Sequence, residues 1–410
     1  METYGSQRVA ALAGETPRTW TTIGLCFVVA LLEGMDLQAA GIAAGGMKVA
    51  FGLDASTLGA VFSAGILGLL PGAFGGGWLA DRIGRKWVLI GAVALFGVFS
   101  IATAHAWDLY SLLAARFMTG VGLGAALPNL IALSSEAAGP RLRGTAVSLM
   151  YCGVPLGAAL AALVGMAGFS SGWKAVFYVG GVAPLLVAPL LALCLPESAA
   201  FREQQRTQGA AAARPTIWQG LFRDGAALPT LLLWVAYFFT LLVVYMLINW
   251  LPTLLVGQGF SAAQAGQVLF SLQIGGTLGS VALGSLLDRW RPLALIVLTY
   301  AGILAALAGL GLSGQFSTML VAGFVAGFFV VGGQLVLYAL APQFYPTGIR
   351  ATGVGSAVAV GRLGAMSGPL VAGQMLAMGY GATGVILGAA PGILVAAAAV
   401  SFLLVRRRAA

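Results

Sequence analysis

The chain has 410 residues, of which 60% are hydrophobic and 8% are charged, and its net charge is +9. A soluble domain carries roughly 25% charged residues, so this composition excludes an ordinary soluble globule and indicates a protein that faces lipid. The apolar stretches are continuous and helix-length rather than alternating, which excludes an outer-membrane barrel. The basic residues lie in separate loops, which argues against nucleic acid as a partner.

Twelve apolar runs along the chain are long enough to cross a bilayer, which takes roughly 20 residues. They lie at 22–44, 57–80, 87–106, 109–133, 145–168, 174–195, 228–250, 262–287, 292–313, 316–341, 351–377 and 382–405. Short loops join neighbouring runs, so consecutive helices are expected to be antiparallel. The predicted fold is an all-α membrane protein with twelve transmembrane helices in two pseudo-symmetric six-helix halves.

A polar, Ala/Gln/Arg-rich segment separates the first six runs from the last six. We expect a cytoplasmic tail at 1–21, a six-helix half at 22–196, a cytoplasmic linker at 197–227, a second six-helix half at 228–405 and a cytoplasmic tail at 406–410.

A basic-acidic cassette appears twice and indicates an internal duplication. The copy at 77–86 reads Gly-Trp-Leu-Ala-Asp-Arg-Ile-Gly-Arg-Lys, and a degenerate copy at 284–291 reads Gly-Ser-Leu-Leu-Asp-Arg-Trp-Arg. The two Asp residues are 207 positions apart (288 − 81), and Arg143 and Arg350 have the same spacing (350 − 143). A duplicated helical membrane protein points to a transporter.

The placement of Lys and Arg predicts the orientation in the membrane, because cytoplasmic loops are enriched in both. One side carries most of them, including Arg8, Arg18, Arg82, Arg85, Lys86, Arg141, Arg143, Arg202, Arg206, Arg214, Arg223, Arg289, Arg291, Arg350 and Arg406–Arg408. The other side carries only Lys48 and Lys174. We therefore expect a multi-pass membrane protein with both termini in the cytoplasm.

Three motifs resemble those of a known family. The segment 77–86 is similar to the signature loop of the major facilitator superfamily, the segment 116–124 (Arg-Phe-Met-Thr-Gly-Val-Gly-Leu-Gly) resembles its fourth-helix motif, and the segment 195–198 (Leu-Pro-Glu-Ser) resembles the motif that ends its sixth helix. The resemblance covers nearly the whole chain and implies transport by alternating access.

A narrower resemblance concerns the aromatic acid:proton symporters within that superfamily. The segment 33–36 (Glu-Gly-Met-Asp) is similar to their Asp-Gly-x-Asp element, with Glu33 in place of the usual Asp, and the segment 249–252 (Asn-Trp-Leu-Pro) and Arg362 fit the same group. The Glu variant, followed by the segment 37–41, resembles the bacterial members that carry 3-(3-hydroxyphenyl)propionate.

Two carboxylates, Glu33 and Asp36, lie near the middle of the first run. A carboxylate at that depth is costly and is by default functional. At positions i and i+3 the two share one helix face, so we expect them to exchange a proton as a unit near physiological pH. The alternative is that they only satisfy neighbouring polar groups in the bundle.

Two arginines are candidates for binding a substrate carboxylate. Arg362 lies near the middle of the eleventh run, where a guanidinium can hold a carboxylate through two hydrogen bonds. The alternative is that Arg362 is a fixed partner of Glu33 or Asp36. Arg116, in the fourth run, could link the proton and substrate sites or form a structural ion pair within the first half.

Further polar side chains of the second half could bind a phenol hydroxyl or a carboxylate, although each could equally serve a packed helix interface. They are Tyr245, Asn249, Gln273, Gln334 and Tyr338.

A third set of residues lies at the membrane surface and is expected to gate the conformational cycle rather than to contact substrate. Asp81 could pair with a helix N-terminus or an Arg of the other half and so hold one state of the cycle. The expected gating set is Gly77, Asp81, Arg82, Gly84, Arg85, Lys86, Glu136, Arg143, Asp288, Arg289 and Arg350. The alternative for the charged members is that they only set the topology.

The sequence has no set of nucleophile and base residues and no metal-ligand cluster, so we expect neither an enzyme nor a protein with a cofactor or a metal. The leading hypothesis is a monomeric, proton-coupled importer of a small aromatic carboxylate, with 3-(3-hydroxyphenyl)propionate or a related phenylpropanoid acid as the substrate. The alternative is a proton-driven exporter of drugs or metabolites, because the segment 153–157 (Gly-Val-Pro-Leu-Gly) weakly resembles an antiporter motif.

Overall fold

The structure is a computed structural model that describes residues 17–138, 146–167, 172–198, 222, 227–287, 289–345 and 350–409. Within these ranges twelve helices are long and apolar enough to cross a membrane. They are α1 (Thr19–Phe51), α2 (Ala55–Ala80), α3 (Arg85–Ala104), α4 (Leu109–Ala137), α5 (Ala146–Met166), α6 (Gly172–Cys194), α7 (Ala227–Gly257), α8 (Ala262–Leu287), α9 (Pro292–Leu312), α10 (Phe316–Leu340), α11 (Gly353–Ala377) and α12 (Gly381–Arg406). The predicted all-α fold with twelve transmembrane helices is confirmed.

The helix α1 is longer than its predicted apolar run, 22–44, at both ends. Gly45, Gly46 and Lys48 follow the predicted run. These residues do not end the helix, because its backbone groups remain paired within it. Hydropathy therefore located the span but not its ends.

Two loop carboxylates begin helices on one face of the bundle. Asp54 accepts hydrogen bonds from the backbone N–H and the hydroxyl of Thr57, both at 2.7 Å, at the start of α2. Asp108 and Ser111 form a reciprocal capping box at the start of α4. The bonds from Thr57 hold the pKa of Asp54 below its usual range, and those from Ser111 lower the pKa of Asp108. Both side chains therefore remain ionised and tie up backbone N–H groups that the helix leaves free.

Two of the helices that line the centre of the bundle depart from regular α geometry. The helix α5 has a turn at Cys152, directly before Gly153–Met166. The helix α10 contains a five-residue π segment, Gly327–Val331. Such segments are frequent at functional sites.

The duplication is visible in how helices approach each other. A Cβ on Gly157 of α5 would lie 1.7 Å from the carbonyl oxygen of Leu31 on α1, and a Cβ on Gly364 of α11 would lie 2.0 Å from that of Phe238 on α7. Both partners in the second contact are 207 positions beyond those in the first (364 − 157 and 238 − 31). The same spacing relates the α2–α4 contact to the α8–α10 contact, at Gly68 with Phe117 and Gly275 with Phe324. Only glycine permits these approaches.

The helices α1–α6 meet the helices α7–α12 mainly away from the chain termini. Since the helices alternate in direction, residues 17 and 409 lie on one face, called here the terminal face, and the opposite face is called the distal face. The hydrogen bonds that join the two sets, counted between described residues, all lie at mid-depth or in the distal half. They run from Gln38 to the carbonyl of Ile248 (2.6 Å), from Gln273 to Gln38 (2.7 Å), from Ser63 to the carbonyl of Met366 (2.8 Å) and from Gln374 to Ser56 (2.7 Å).

Candidate functional site

Two adjoining cavities lie between the two sets of helices near mid-depth. The larger, called here the cleft, has a volume of about 330 Å³ and extends into the terminal half between α2, α4 and α11. The smaller, called here the pouch, has a volume of about 50 Å³ and lies between α1, α5, α7, α8 and α10. Glu33, Leu127 and Arg362 line both cavities. The two charged residues predicted at mid-membrane therefore meet at one place.

The walls of the cleft are almost entirely apolar. Apart from Glu33 and Arg362, they are formed by aliphatic, aromatic, glycine and proline residues: Leu69, Leu70, Ala73, Phe74, Leu123, Gly124, Leu127, Pro128, Ile131, Gly355, Val358 and Ala359. A cavity of this size and polarity, with a small number of charged groups at one end, is typical of a small-molecule site.

Glu33 is 3% exposed, and its Oε2 atom is buried with no hydrogen-bond partner among the described residues. The positive charge of Arg362 acts on Glu33, yet the ion pairs within 4 Å among the described side chains are Arg85–Glu136 and Arg116–Asp36. Glu33 and Arg362 thus attract each other without forming a direct ion pair. This leaves the carboxylate free to take up a proton and the guanidinium free to bind an anion.

Arg362 reaches the cavities from α11 and is positioned by one neighbour on α7. Its Nη1 donates a hydrogen bond of 2.7 Å to the hydroxyl of Tyr245. Tyr245 thereby fixes the direction of the guanidinium, while the other N–H groups of Arg362 stay available. Arg362 and Tyr245, two of the predicted substrate-binding residues, are thus in contact.

Asp36 faces the interior of the first six helices instead. Asp36 is fully buried. Its carboxylate accepts a hydrogen bond of 2.8 Å from the hydroxyl of Ser100 and forms an ion pair with Arg116 at 3.2 Å. Neither Asp36 nor Arg116 lines the cleft or the pouch. The expectation that Glu33 and Asp36 act as one proton-exchanging unit is therefore not supported, because the 60° that separates positions i and i+3 on a helix directs them to different neighbours.

The substitution Asp36→Asn tests this separation. It leaves the buried guanidinium of Arg116 without its counter-charge, which is expected to destabilise the protein by roughly 3–5 kcal/mol. Thermal unfolding in detergent should therefore show a clearly lowered midpoint, while the Asp36→Asn protein that remains folded still binds substrate. An unchanged unfolding midpoint together with lost binding would instead place Asp36 in the substrate site.

The predicted hydrogen-bonding residues divide into two groups. Gln273 and Gln334 line the pouch, and their amides are engaged: Gln273 donates to Gln38, and Gln334 donates to the hydroxyl of Tyr338 at 2.8 Å. Tyr338 itself is not among the lining residues, although it lies within electrostatic range of Arg362. Asn249 donates to the carbonyl of Tyr245 in its own helix (2.8 Å) and faces neither cavity.

Two residues with polar side chains that line the pouch were not singled out from the sequence, Gln38 and Tyr151. Gln38 is fully buried and bridges the two sets of helices, from α1 to α7 and α8. Its signal was a polar residue at membrane depth two positions after Asp36. Tyr151 directly precedes the turn in α5, so an aromatic hydroxyl beside a Gly/Pro-containing segment was the available signal.

The signature loop at the terminal face is held by residues of α4 and of the segment after α6. Gly84 separates α2 from α3 with a φ of +101°, a conformation that favours glycine. The carboxylate of Glu197 accepts the backbone N–H groups of Arg85 (3.0 Å) and Lys86 (3.2 Å) at the start of α3. Arg85 pairs with Glu136, and Lys86 donates to the carbonyl of Ala192. These contacts all lie within the first six helices.

The remaining predicted gating residues give no described contact that bears on gating. Arg82 stacks on the ring of Trp78, with the guanidinium carbon 3.8 Å from the ring centre, and Gly77 has open space on its Cβ side. Arg289 follows α8 in a turn. Asp81 and Arg350 lie in helical segments, but their side chains are outside the described part of the structure, and Arg143 and Asp288 lie outside the described residues altogether.

A metal site in a protein needs several ligating side chains close together. Within the described ranges no group of three or more His, Cys, Asp or Glu side chains could hold a metal ion.

Comparisons with known proteins agree with these features. The family model of the Major Facilitator Superfamily matches residues 26–317. The chain is 63% identical, over 96% of both sequences, to the 3-(3-hydroxy-phenyl)propionate transporter of Escherichia coli K12. It is 37% identical to the 4-hydroxybenzoate transporter of Pseudomonas aeruginosa, over 89% of this chain and 88% of that one, and 38% identical to the gallate transporter of Pseudomonas putida, over 88% and 86%.

Solved structures share the fold at low sequence identity. An inward-facing, unoccupied bacterial homolog of the human lysosomal transporter Spinster superposes with a TM-score of 0.76 at 18% identity, over 95% of this chain and 98% of that one. The xylose transporter of Escherichia coli in an inward open conformation superposes with a TM-score of 0.76 at 17% identity, over 92% and 94%. At this identity the likeness concerns the fold alone.

Proposed function

Because the chain belongs to the major facilitator superfamily, we propose that it imports a small aromatic carboxylate together with protons, by alternating access. The substrate proposed is 3-(3-hydroxyphenyl)propionate or a related phenylpropanoid acid. The relative that is 63% identical carries that name, and the more distant relatives are named for 4-hydroxybenzoate and gallate. All three names describe a hydroxylated aromatic ring with a carboxylate.

The observation that carries the proposal is the apolar cleft with Arg362 at its end. An aromatic acid has a carboxyl pKa near 4 to 5, so it is an anion at neutral pH. Its ring gains from burial against leucine, valine and phenylalanine side chains, whereas its carboxylate needs a cation or several hydrogen bonds when it leaves water. The cleft provides apolar walls for the ring and a guanidinium for the carboxylate.

Proton coupling is proposed for Glu33, which lines the same cleft. Import of an anion against an inside-negative potential costs roughly 2.3 kcal/mol per charge per 100 mV. One proton carried along cancels this cost and lets a pH gradient drive accumulation, and a second proton would add the membrane potential to the driving force. A buried carboxylate with an unpartnered oxygen, next to the substrate cation, is suited to bind that proton.

The proposed orientation has the terminal face in the cytoplasm of a bacterium, with the protein in the inner membrane and both termini cytoplasmic. The support is the positive-inside rule, because the basic residues of the loops lie on this face apart from Lys48 and Lys174. The cleft then lies in the cytoplasmic half, and the hydrogen bonds that join the two sets of helices lie at mid-depth or in the outer half. We take the protein to act as a monomer.

The proposed cycle moves residues 22–196 and 228–405 as two halves joined by the linker at 197–227. The polar contacts of Gln38 and Ser63 in the distal half must break when the outer side opens. The segment 77–86 is proposed to control the opposite side, with Asp81 contacting the second half. Gly157, in the segment that weakly resembles an antiporter motif, serves a close helix contact, so the exporter alternative gains no support from it.

A substitution at Asp81 tests the gating proposal. Asp81→Asn should cripple transport but leave substrate affinity largely intact, since it alters only the balance between conformational states. The measurement is equilibrium binding of labelled substrate in nanodiscs beside the rate of uptake in vesicles, with the exposed Asp54→Asn as the matched control. A large loss of affinity with an unchanged turnover rate would contradict the gating role.

The test of the proposed substrate class is an uptake panel in vesicles reconstituted with the wild-type protein. Hydroxylated phenylpropanoid and benzoic acids should be taken up and compete with one another, whereas cationic dyes should be neither imported nor extruded. Extrusion of a dye without import of any aromatic acid would favour the exporter alternative.

A further inference from the structure

The pouch lies beside Arg362. Neither the binding of the substrate carboxylate by Arg362 nor the binding of a proton by Glu33 explains its function. Its volume of about 50 Å³ holds a few water molecules or a small polar substituent, but not an aromatic ring. The ring therefore belongs in the cleft of about 330 Å³, which shares Glu33, Leu127 and Arg362 with the pouch. A hydroxyl group on a ring in the cleft can enter the pouch across this shared wall.

Most polar groups of the pouch are already committed to protein partners. The amide N–H₂ of Gln38 donates to the carbonyl of Ile248, and its oxygen accepts from Gln273. Gln334 donates to the hydroxyl of Tyr338, and the hydroxyl of Tyr245 accepts from Arg362. The side-chain oxygens of Gln273 and Gln334 and the hydroxyl proton of Tyr245 can still form a hydrogen bond, but each of these side chains is already held by a protein partner.

Tyr151 is the exception. It lines the pouch and lies within electrostatic range of Glu33, Arg362, Tyr245 and Tyr338. Among the described residues the hydroxyl of Tyr151 has no hydrogen-bond partner. The hydroxyl oxygen is also absent from the set of completely buried, unpaired side-chain atoms, so it is not fully enclosed by protein. A hydroxyl can both donate and accept, so Tyr151 can pair with a phenol in either direction.

We propose that Tyr151 is the residue that recognises the ring hydroxyl of the substrate and so sets the preference for hydroxylated over unsubstituted aromatic acids. The inference rests on the proposed function and refines it. When a substrate without the hydroxyl binds, the Tyr151 hydroxyl loses its partner and the pouch retains water or a void. Sites with a buried group aimed at a substrate hydroxyl reject the analogue that lacks it for this reason.

The experiment measures competition against labelled 3-(3-hydroxyphenyl)propionate in counterflow, which requires no pH gradient. The competitors are unlabelled 3-(3-hydroxyphenyl)propionate and 3-phenylpropionate, which differ by one hydroxyl. Wild-type protein is expected to bind the hydroxylated acid about tenfold more tightly, the magnitude of one well-placed hydrogen bond. Tyr151→Phe should remove most of this preference by weakening only the hydroxylated acid. The affinity for 3-phenylpropionate should stay within about twofold of wild type, because the ring of residue 151 is retained.

Tyr245→Phe is the matched control, since it removes a tyrosine hydroxyl from the same pouch but acts on Arg362. It should weaken both acids by a similar factor and leave their ratio unchanged. The preference for the hydroxylated acid should likewise survive in Glu33→Gln, because Glu33 is not the residue that forms the hydrogen bond with the ring hydroxyl. Loss of the preference in Glu33→Gln but not in Tyr151→Phe would assign the hydroxyl to Glu33 and overturn the proposal.

Measurements on the wild-type protein can overturn the inference even if Tyr151→Phe does not fold. Equal affinity of wild type for the two acids would overturn this inference and leave the proposed function standing. Binding of neither acid would overturn the proposed function, and this inference with it. A Tyr151→Phe protein that binds both acids equally less well would show that the tyrosine only supports the packing of α5.

Discussion

Arg362→Ala is expected to remove measurable uptake of aromatic acids. The substitution takes away the cation at the end of the cleft, so the substrate carboxylate would enter an apolar site without a partner. Arg362→Lys keeps the charge but lacks the planar fork and the geometry of the bond to Tyr245. Substrate binding should then weaken by roughly 1–3 kcal/mol. Both effects are measured by equilibrium binding and initial uptake rates at equal protein levels.

The primary amide of the substrate is the control for Arg362, because it matches the acid in shape but carries no charge. It should bind the wild-type protein poorly and lose little further affinity in Arg362→Ala. Equal sensitivity of the acid and the amide to the substitution would show that Arg362 supports the structure rather than gripping the carboxylate. The carboxylate would then have to bind elsewhere, and Arg116 is a poor replacement because it is 4% exposed and paired with Asp36.

Glu33→Gln is expected to abolish accumulation of substrate driven by a pH gradient. A neutral amide has nearly the shape of the protonated carboxyl group but cannot release a proton, so the coupling step is lost while the cleft is preserved. Exchange of labelled for unlabelled substrate should survive, because exchange needs no net proton movement. The measurement compares accumulation and exchange in the same vesicles.

Glu33→Asp is the matched control, since it retains a carboxylate at position 33. It should retain gradient-driven accumulation at a reduced rate, because the shorter side chain moves the carboxylate within the cleft. Accumulation at the wild-type level in Glu33→Gln would exclude Glu33 as the coupling residue.

The fold was predictable because twelve uninterrupted apolar runs leave few alternatives in a membrane. The duplication was also readable, since the spacing of 207 positions between charged landmarks recurs in the contacts of Gly157 and Gly364. The π segment at Gly327–Val331 could not be predicted from the sequence. It lies where Gly327 approaches the backbone of Leu272, so it depends on how α8 and α10 pack and not on local composition.

The candidate site was predictable where a charge at membrane depth is costly. Glu33 and Arg362 could be identified on that ground alone, and the structure brings them to one cavity. The partners of Asp36 could not be identified, because they depend on the rotation of α1 relative to α4. Asn249 looked equally polar in the sequence but bonds to its own helix. Tyr151 was overlooked because an aromatic residue in an apolar run usually packs against lipid or protein.

The most direct test of coupled import uses vesicles that contain the wild-type protein, a pH-sensitive dye inside and labelled 3-(3-hydroxyphenyl)propionate outside. With the outside made acidic, we expect the substrate to accumulate above its outside concentration while the interior acidifies faster than in protein-free vesicles. Arg362→Ala vesicles should show neither effect. Equilibration of the substrate without accumulation, or accumulation without added acidification, would contradict proton-coupled import of an aromatic acid.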